Sequence, residues 1–185
     1  MNPQVLGEAI LNENRNLLAG VSWEEVDHLI EEIDKAGRIF CAAQGRSGYI
    51  LRCFCMRLMQ FGYPAFFVGE TITPRIDKGD MLVVLSGSGQ TSLTQEWVRV
   101  ARQRGATTFG LIGVEDSPIG RALDYSVSIP AGSKLEFSRE FYSIQPPGSL
   151  FEQAAFVLLE IIVLALYQRQ GSDPGTILDR HANLE

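Results

Sequence analysis

Two short turns rich in serine and glycine contain the residues best suited to hold an anion. The more prominent, SGSGQT at 86–91, follows five consecutive apolar residues at 81–85 and precedes a segment with helical spacing at 93–104. Glycine lets backbone N–H groups approach a ligand closely, hydroxyls donate hydrogen bonds, and a helix N-terminus favours negative charge. A tight strand-to-helix turn without a ligand has a similar composition, but four small residues followed by threonine favour an anion site.

The second turn, GRSG at 45–48, follows the first predicted strand. Neither turn carries a nucleotide-binding fingerprint, because Gly-x-x-x-x-Gly-Lys-Ser/Thr is absent and Gly-x-Gly-x-x-Gly does not follow the first strand. Hydroxyl-rich turns without a lysine therefore indicate a monophosphate on a small molecule rather than ATP or NAD. In an open α/β sheet, ligands bind beyond the carboxyl ends of the strands, where both turns are expected.

Few titratable residues are candidates for catalysis. Glu152 lies in the first turn of a predicted helix, where an acid also complements the helix dipole. His181 lies within DRHANLE at 179–185, and residues near a chain end are commonly loose. His28 lies on an amphipathic helix away from the strand ends, which favours a surface or interface role. Taken separately, Glu152 and His181 fit these structural roles as well as catalytic ones.

An alternation of strands and helices must position these residues. Strands are predicted at 39–43, 65–68, 81–85, 108–112 and 125–129, and helices at 3–19, 22–37, 49–61, 93–104 and 148–168. This order predicts an α/β fold in which a parallel sheet is covered by helices on both faces. Residues 131–147 carry no confident element, and a loop of that length favours a functional flap or a subunit contact.

Composition and charge exclude several classes of protein. A chain of 185 residues with 45% hydrophobic and 21% charged residues predicts one globular domain. A net charge of −6 with scattered basic residues argues against nucleic-acid binding. No signal peptide is predicted, and the apolar segment 156–167 is too short to span a membrane. Cys41, Cys53 and Cys55 fit neither a disulfide framework nor a metal site, so we expect core or near-core thiols in a reducing cytoplasm.

Seven segments follow one another in a recognisable order: GRSG at 45–48, MRLM at 56–59, VGET at 68–71, SGSG at 86–89, QP at 145–146, GSLFEQ at 148–153 and RHANLE at 180–185. This pattern resembles the sugar isomerase (SIS) domain, and more closely the 6-phospho-3-hexuloisomerase family of ribulose monophosphate metabolism and formaldehyde fixation. The two Ser/Gly turns are typical of the superfamily, whereas GSLFEQ and RHANLE are more specific. Gln90 and Pro147 depart from the glutamate and methionine common in relatives.

The resemblance implies a three-layer sandwich with a five-stranded parallel sheet and flavodoxin-like topology. It also implies a single SIS domain over residues 1–185. Within it we expect N-terminal helices at 1–36, an α/β core at 38–130, a long C-terminal helix at 148–169 and a docking tail at 171–185.

The family reaction interconverts D-arabino-hex-3-ulose 6-phosphate and fructose 6-phosphate. A base must take the C2 proton to give a cis-enediol and return it at C3, while a second group moves protons between the oxygens. By resemblance, Glu152 is the carbon base and His181 the oxygen acid/base. Phosphate binding falls to Ser47, Ser86, Ser88 and Thr91, and Gly45 and Arg46 line the same pocket. No cofactor and no metal are required.

The resemblance also implies partners. A histidine in the tail must be held in place, so we expect it to dock into a neighbouring subunit's site in a homo-oligomer, with a tetramer favoured over a dimer. Hexulose-6-phosphate synthase is the expected functional partner, and neither nucleic acid nor a membrane is expected. Two alternatives remain: another SIS isomerase acting on a pentose 5-phosphate, and a non-catalytic sugar-phosphate sensor.

Overall fold

The computed structural model describes residues 2–131, 143–171 and 174–184. Within these residues, five parallel strands form one sheet in the order β2-β1-β3-β4-β5. The strands are β1 Ile39–Ala42, β2 Ala65–Phe67, β3 Met81–Ser86, β4 Thr107–Ile112 and β5 Tyr125–Ser128. The helices are α1 Pro3–Leu18, α2 Trp23–Lys35, α3 Gly45–Gln60, α4 Ser92–Gln103, α5 Ser149–Gln170 and α6 Pro174–Asp179. The predicted α/β fold with a five-stranded parallel sheet is confirmed.

The central strand β3 shows why the sheet needs helices on both faces. All six of its residues are buried, and successive side chains point to opposite faces of the sheet. Met81, Val83 and Leu85 pack into the core formed with α2, α3 and α5. Leu82 and Val84 pack into a second, smaller core formed with α4. An unbroken apolar run is therefore a strand buried on both faces.

The strand order places the ligand-binding edge. From β1 the chain passes to β2 on one side and then crosses to β3 on the other side of β1. In an open α/β sheet, ligands bind at such a switch point, beyond the carboxyl ends of the two strands. The turns at 45–48 and 86–91 follow β1 and β3, so both lie at this point.

The structure corrects the predicted start of α3. The sequence placed a turn at 45–48 and the helix at 49–61, whereas α3 begins at Gly45. Glycine and serine are poor helix formers in a helix interior, which favoured the turn. At the start of a helix, however, glycine can adopt the φ of +61° that Gly45 has, and serine is favoured near helix N-termini. The GRSG residues are thus the N-terminal turn of α3.

Helix α5 is longer than the apolar segment that identified it. With 22 residues and a mean hydropathy of 2.0 in its most apolar window, it is long and apolar enough to cross a membrane. The length of the segment 156–167 therefore does not exclude a membrane-spanning helix. Yet 61% of that window is buried inside the protein, where α5 packs against α1, α2 and α3. The expectation of a buried core helix holds for these residues.

The cysteines differ in their surroundings. Cys41 and Cys55 are buried free thiols, as predicted, but Cys53 is exposed on α3, which corrects its expected place in or near the core. A hydrogen bond with Cys55 and burial raise the pKa of the Cys41 thiol well above its ordinary value.

The expected flap at 131–147 lies largely outside the described residues.

Candidate functional site

A cavity of about 270 Å³ lies at the switch point between β1 and β3. Seven of the eight residues that the sequence singled out line it: Gly45, Arg46, Ser47, Ser86, Ser88, Thr91 and Glu152. The three elements that bring them together are the N-terminal turn of α3, the 86–91 turn and the first turn of α5. Their roles in binding and catalysis remain predictions.

The N-terminus of α3 faces this cavity. Its N-cap is Gln44, and no side chain among the described residues caps the helix there. Gly45 has a φ of +61°, which turns the chain sharply from β1 into the helix. Gly48 allows close packing, because a Cβ at that position would lie 2.9 Å from the carbonyl oxygen of Ala43. The first turn of α3 is therefore shaped for an anion.

The 86–91 turn is held in shape by its own hydroxyl oxygens. Ser86 Oγ accepts from the Gly89 N–H at 3.1 Å, and Ser88 Oγ accepts from the Gln90 N–H at 3.3 Å. A hydroxyl that accepts in this way keeps its own proton for donation. Thr91 is the N-cap of α4, and no described side chain satisfies that helix end. The turn therefore offers hydroxyl and backbone donors to the cavity without rearrangement.

Gly89 is required by the turn for two reasons. Its φ is +62°, and a Cβ at this position would lie 1.9 Å from Ser117 Oγ. We expect Gly89→Ala to lower the free energy of unfolding by about 2–5 kcal/mol, about 1–2 from left-handed backbone and the rest from overpacking. Urea unfolding measures the loss. Gly171→Ala is the matched control, because Gly171 has a φ of +56° and no described residue lies within 4 Å of where its Cβ would be. Equal losses for both variants would contradict the predicted clash.

Glu152 is a buried carboxylate at the opposite side of the cavity. It is 3% exposed, and its Oε2 lies 2.9 Å from Arg46 Nε of α3. A carboxylate is costly to bury unless it is paired, and Arg46 supplies that pairing. The ion pair links the first turn of α5 to the anion-binding turn of α3. Its position in the first turn of α5 also complements the helix dipole, and its pairing with Arg46 and its place in the cavity wall go beyond what that requires.

Phe151 is a site residue that sequence reasoning missed. Its ring lies against Gly87, where an added Cβ would approach within 3.1 Å. It is 2% exposed and lines the cavity beside Glu152. Its position within GSLFEQ was the available signal, but an apolar residue there is also consistent with the core. Gly87 and Phe151 together bring the phosphate turn and the first turn of α5 into contact.

His181 lies far from the cavity within one chain. The neighbouring Arg180 donates from Nη1 to the carbonyl oxygen of Gln60 at 3.5 Å, at the C-terminal end of α3. The cavity lies at the other end of this 16-residue helix, which is about 24 Å long. His181 itself is exposed. One subunit therefore does not bring His181 and Glu152 together.

Two further questions concern His28 and a possible metal site. His28 is half-buried and lies edge-on to Tyr125, with ring centroids 4.3 Å apart, away from the cavity. In the part of the chain that the structure describes, no group of three or more His, Cys, Asp or Glu side chains is arranged to hold a metal ion. The expectation that no metal or cofactor is needed remains a prediction.

Comparison with known proteins identifies relatives over nearly the whole chain. The SIS domain family model matches residues 32–157. A 3-hexulose-6-phosphate isomerase of Bacillus subtilis is 37% identical, and the match covers 95% of each chain. One of Mycobacterium gastri is 38% identical over 98% of this chain and 94% of its own.

A solved structure from Methanococcus jannaschii agrees. It superposes with a TM-score of 0.83 at 31% identity, covering 96% of this chain and 98% of that one. The molecular function inferred for that protein from its crystal structure is 3-hexulose-6-phosphate isomerase.

Proposed function

We propose that this chain, which belongs to the SIS domain family, is an isomerase that interconverts D-arabino-hex-3-ulose 6-phosphate and fructose 6-phosphate. The observation that carries this function is the single cavity that the first turn of α3, the 86–91 turn and the first turn of α5 line together. It places two sets of anion donors and one buried, arginine-paired carboxylate within reach of a single small molecule. Relatives named for this reaction, similar over nearly the full chain, supply the substrate.

The phosphate end of the substrate binds between the N-terminal ends of α3 and α4. Backbone N–H groups of both helix ends and the hydroxyls of Ser47, Ser86, Ser88 and Thr91 donate to its oxygens. Gly45 completes the wall beside Ser47. Arg46 contributes positive charge at the edge of the same cavity. Anchoring one end in this way orients the sugar carbons towards α5.

Glu152 acts as the carbon base. Its carboxylate takes the C2 proton of the 3-ketose to give the cis-enediol and returns a proton at C3, which leaves the carbonyl at C2. Arg46 Nε is paired with the carboxylate, and the guanidinium lines the same cavity, where its other N–H groups can donate to the enediol oxygens as negative charge develops. The base and the phosphate-binding turns therefore line the same cavity.

His181 of a neighbouring subunit moves protons between the two oxygens. Within one chain it lies at the wrong end of α3, so the site is complete only in a homo-oligomer, with a tetramer favoured over a dimer. An exposed apolar surface of Leu11, Phe156 and Val157 lies beside Arg46 and Glu152 and supports a subunit contact at the mouth of the cavity.

The biological setting follows from the substrate. We place the enzyme in the ribulose monophosphate pathway of formaldehyde fixation, where hexulose-6-phosphate synthase supplies the 3-ketose, and in the cytoplasm, where its thiols stay reduced. The tail at 171–185 is the docking segment of a single SIS domain.

A panel of sugar phosphates tests this function. In an assay that measures the fructose 6-phosphate formed, the protein should convert hexulose 6-phosphate with a kcat/KM of about 10⁴ M⁻¹s⁻¹ or more. Pentose 5-phosphates should bind through the same turns but turn over far more slowly. A pentose 5-phosphate as the better substrate would replace the proposed reaction by the related isomerase. Tight binding of fructose 6-phosphate with no turnover would indicate the sensor instead.

A further inference from the structure

A chain of hydrogen bonds joins α1 to the segment that leads into α5. The Glu13 carboxylate accepts from Ser143 Oγ at 2.8 Å, from the Ile144 N–H at 2.9 Å and from Gln145 Nε2 at 2.8 Å. Gln145 Oε1 then accepts from Gln153 Nε2 at 2.7 Å. The chain thus runs from α1 through residues 143–145 to the residue next to Glu152.

The series of hydrogen bonds continues from Gln153 back to α1. Gln153 Oε1 accepts from Asn14 Nδ2 at 2.8 Å, and the same Asn14 nitrogen donates to the Ile10 carbonyl at 2.9 Å. Asn14 is 8% exposed, so this end of the chain is buried. Two adjacent residues of α1 therefore hold both the approach to α5 and its first turn.

The Glu13 carboxylate sets the direction of the side-chain hydrogen bonds that join Gln145, Gln153 and Asn14 to it. A carboxylate only accepts, so Gln145 must present its NH₂ to Glu13 and its oxygen to Gln153. Gln153 must then present its oxygen to Asn14. Burial by itself raises the pKa of Glu13, but hydrogen bonds from Gln145, Ile144 and Ser143 outweigh it, and the net pKa lies below the ordinary value. The ionised carboxylate is the form that the chain stabilises.

The chain ends beside the proposed base. Gln153 follows Glu152 directly, and the Pro146 carbonyl accepts from the Ser149 N–H at 3.0 Å at the start of α5. The Glu152 N–H donates to Gly148, which lines the cavity. Fixing residues 145 and 153 therefore fixes the backbone that carries the Glu152 carboxylate. The phosphate turns at 45–48 and 86–91 make none of these bonds.

We propose that Glu13 is a positioning residue, which holds the first turn of α5 so that Glu152 lies at the correct distance from the substrate carbons. The proposal rests on the proposed isomerase function. It separates the two halves of the site: the base depends on α1, whereas the phosphate anchor does not. A displacement of about 1 Å in a catalytic group costs up to about a hundredfold in rate.

Exchanging the two side chains tests this role. In Glu13→Gln an amide NH₂ replaces one acceptor oxygen, and in Gln145→Glu two carboxylates face each other. Each single variant should lower kcat by about tenfold to a hundredfold and change KM by less than about twofold. The double variant E13Q/Q145E restores a donor at 13 facing an acceptor at 145, although Ser143 Oγ loses its acceptor at 13, so its kcat should exceed that of either single variant.

The control is Glu8→Gln, which removes the same charge from an exposed position of the same helix and should leave kcat unchanged. Hydrogen exchange of the Ile144 amide gives a readout independent of turnover. Protection of this amide should fall in E13Q and should not fall in the Glu8→Gln control. An E13Q variant with wild-type kcat, or a double variant no faster than the singles, would overturn the positioning role while wild-type turnover upholds the isomerase. A wild-type protein without turnover overturns both.

Discussion

Replacing Glu152 by glutamine is expected to lower kcat for hexulose 6-phosphate by about a thousandfold, within the range of general-base catalysis. Glutamine keeps the shape of the side chain but loses the charge that pairs with Arg46. It cannot take a proton from carbon. Because the phosphate turns are unchanged, KM should stay within about threefold of wild type. Steady-state kinetics in both directions measure the two parameters separately.

The matched control is Glu160→Gln, which makes the same change on the same helix about two turns away, outside the cavity. Its kcat should equal that of wild type. Fructose 6-phosphate binding by the Glu152→Gln variant should persist. If this variant retains most of its activity, another group takes the proton. If it binds like wild type and neither turns over, the chain is a sensor.

Removing residues 180–185 is expected to abolish turnover while leaving the subunit folded. Residues 180–184 are exposed within one chain, so their loss removes little buried surface. Among the described residues of the segment, Arg180 contacts the body through a long hydrogen bond of 3.5 Å to the Gln60 carbonyl oxygen and lies close to Gly62. The midpoint of thermal unfolding should therefore change by only a few degrees, which corresponds to a change of about 1 kcal/mol in the free energy of unfolding.

The point variant His181→Asn isolates the imidazole from the rest of the tail. It should lower kcat by about a hundredfold or more, because asparagine cannot exchange a proton with the substrate oxygens. His28→Asn is the matched control, since His28 packs against Tyr125 away from the cavity. Full activity in the truncated protein would remove His181 from the mechanism.

The fold could be predicted because its signals are local. An unbroken apolar run that stops at Ser86 predicts β3, and the two turns follow β1 and β3 directly. Parallel strands bring such turns to one edge, so their meeting in one cavity follows from topology. The start of α3 was misplaced because glycine and serine are unfavourable in a helix interior but not in its first turn.

The features that the sequence did not reveal depend on long-range contacts. Glu13 meets Gln145 across 132 positions, and nothing in the polar pattern of α1 indicates that partner. The ion pair of Arg46 with Glu152 likewise needs the packing of α3 on α5. Phe151 against Gly87 is a contact between two elements that only the folded core brings together. Helix α6 at 174–179 was not predicted either, since six residues are too few for a periodic signal.

Mixing two inactive variants tests most directly whether two subunits share the site. A mixed pair of Glu152→Gln and His181→Asn chains contains one site with both wild-type groups and one site with neither. If subunits exchange freely, about half of the pairs are mixed, so about a quarter of wild-type activity should return. Activity that stays at the level of the separate variants, with exchange verified by labelled subunits, would contradict the shared site.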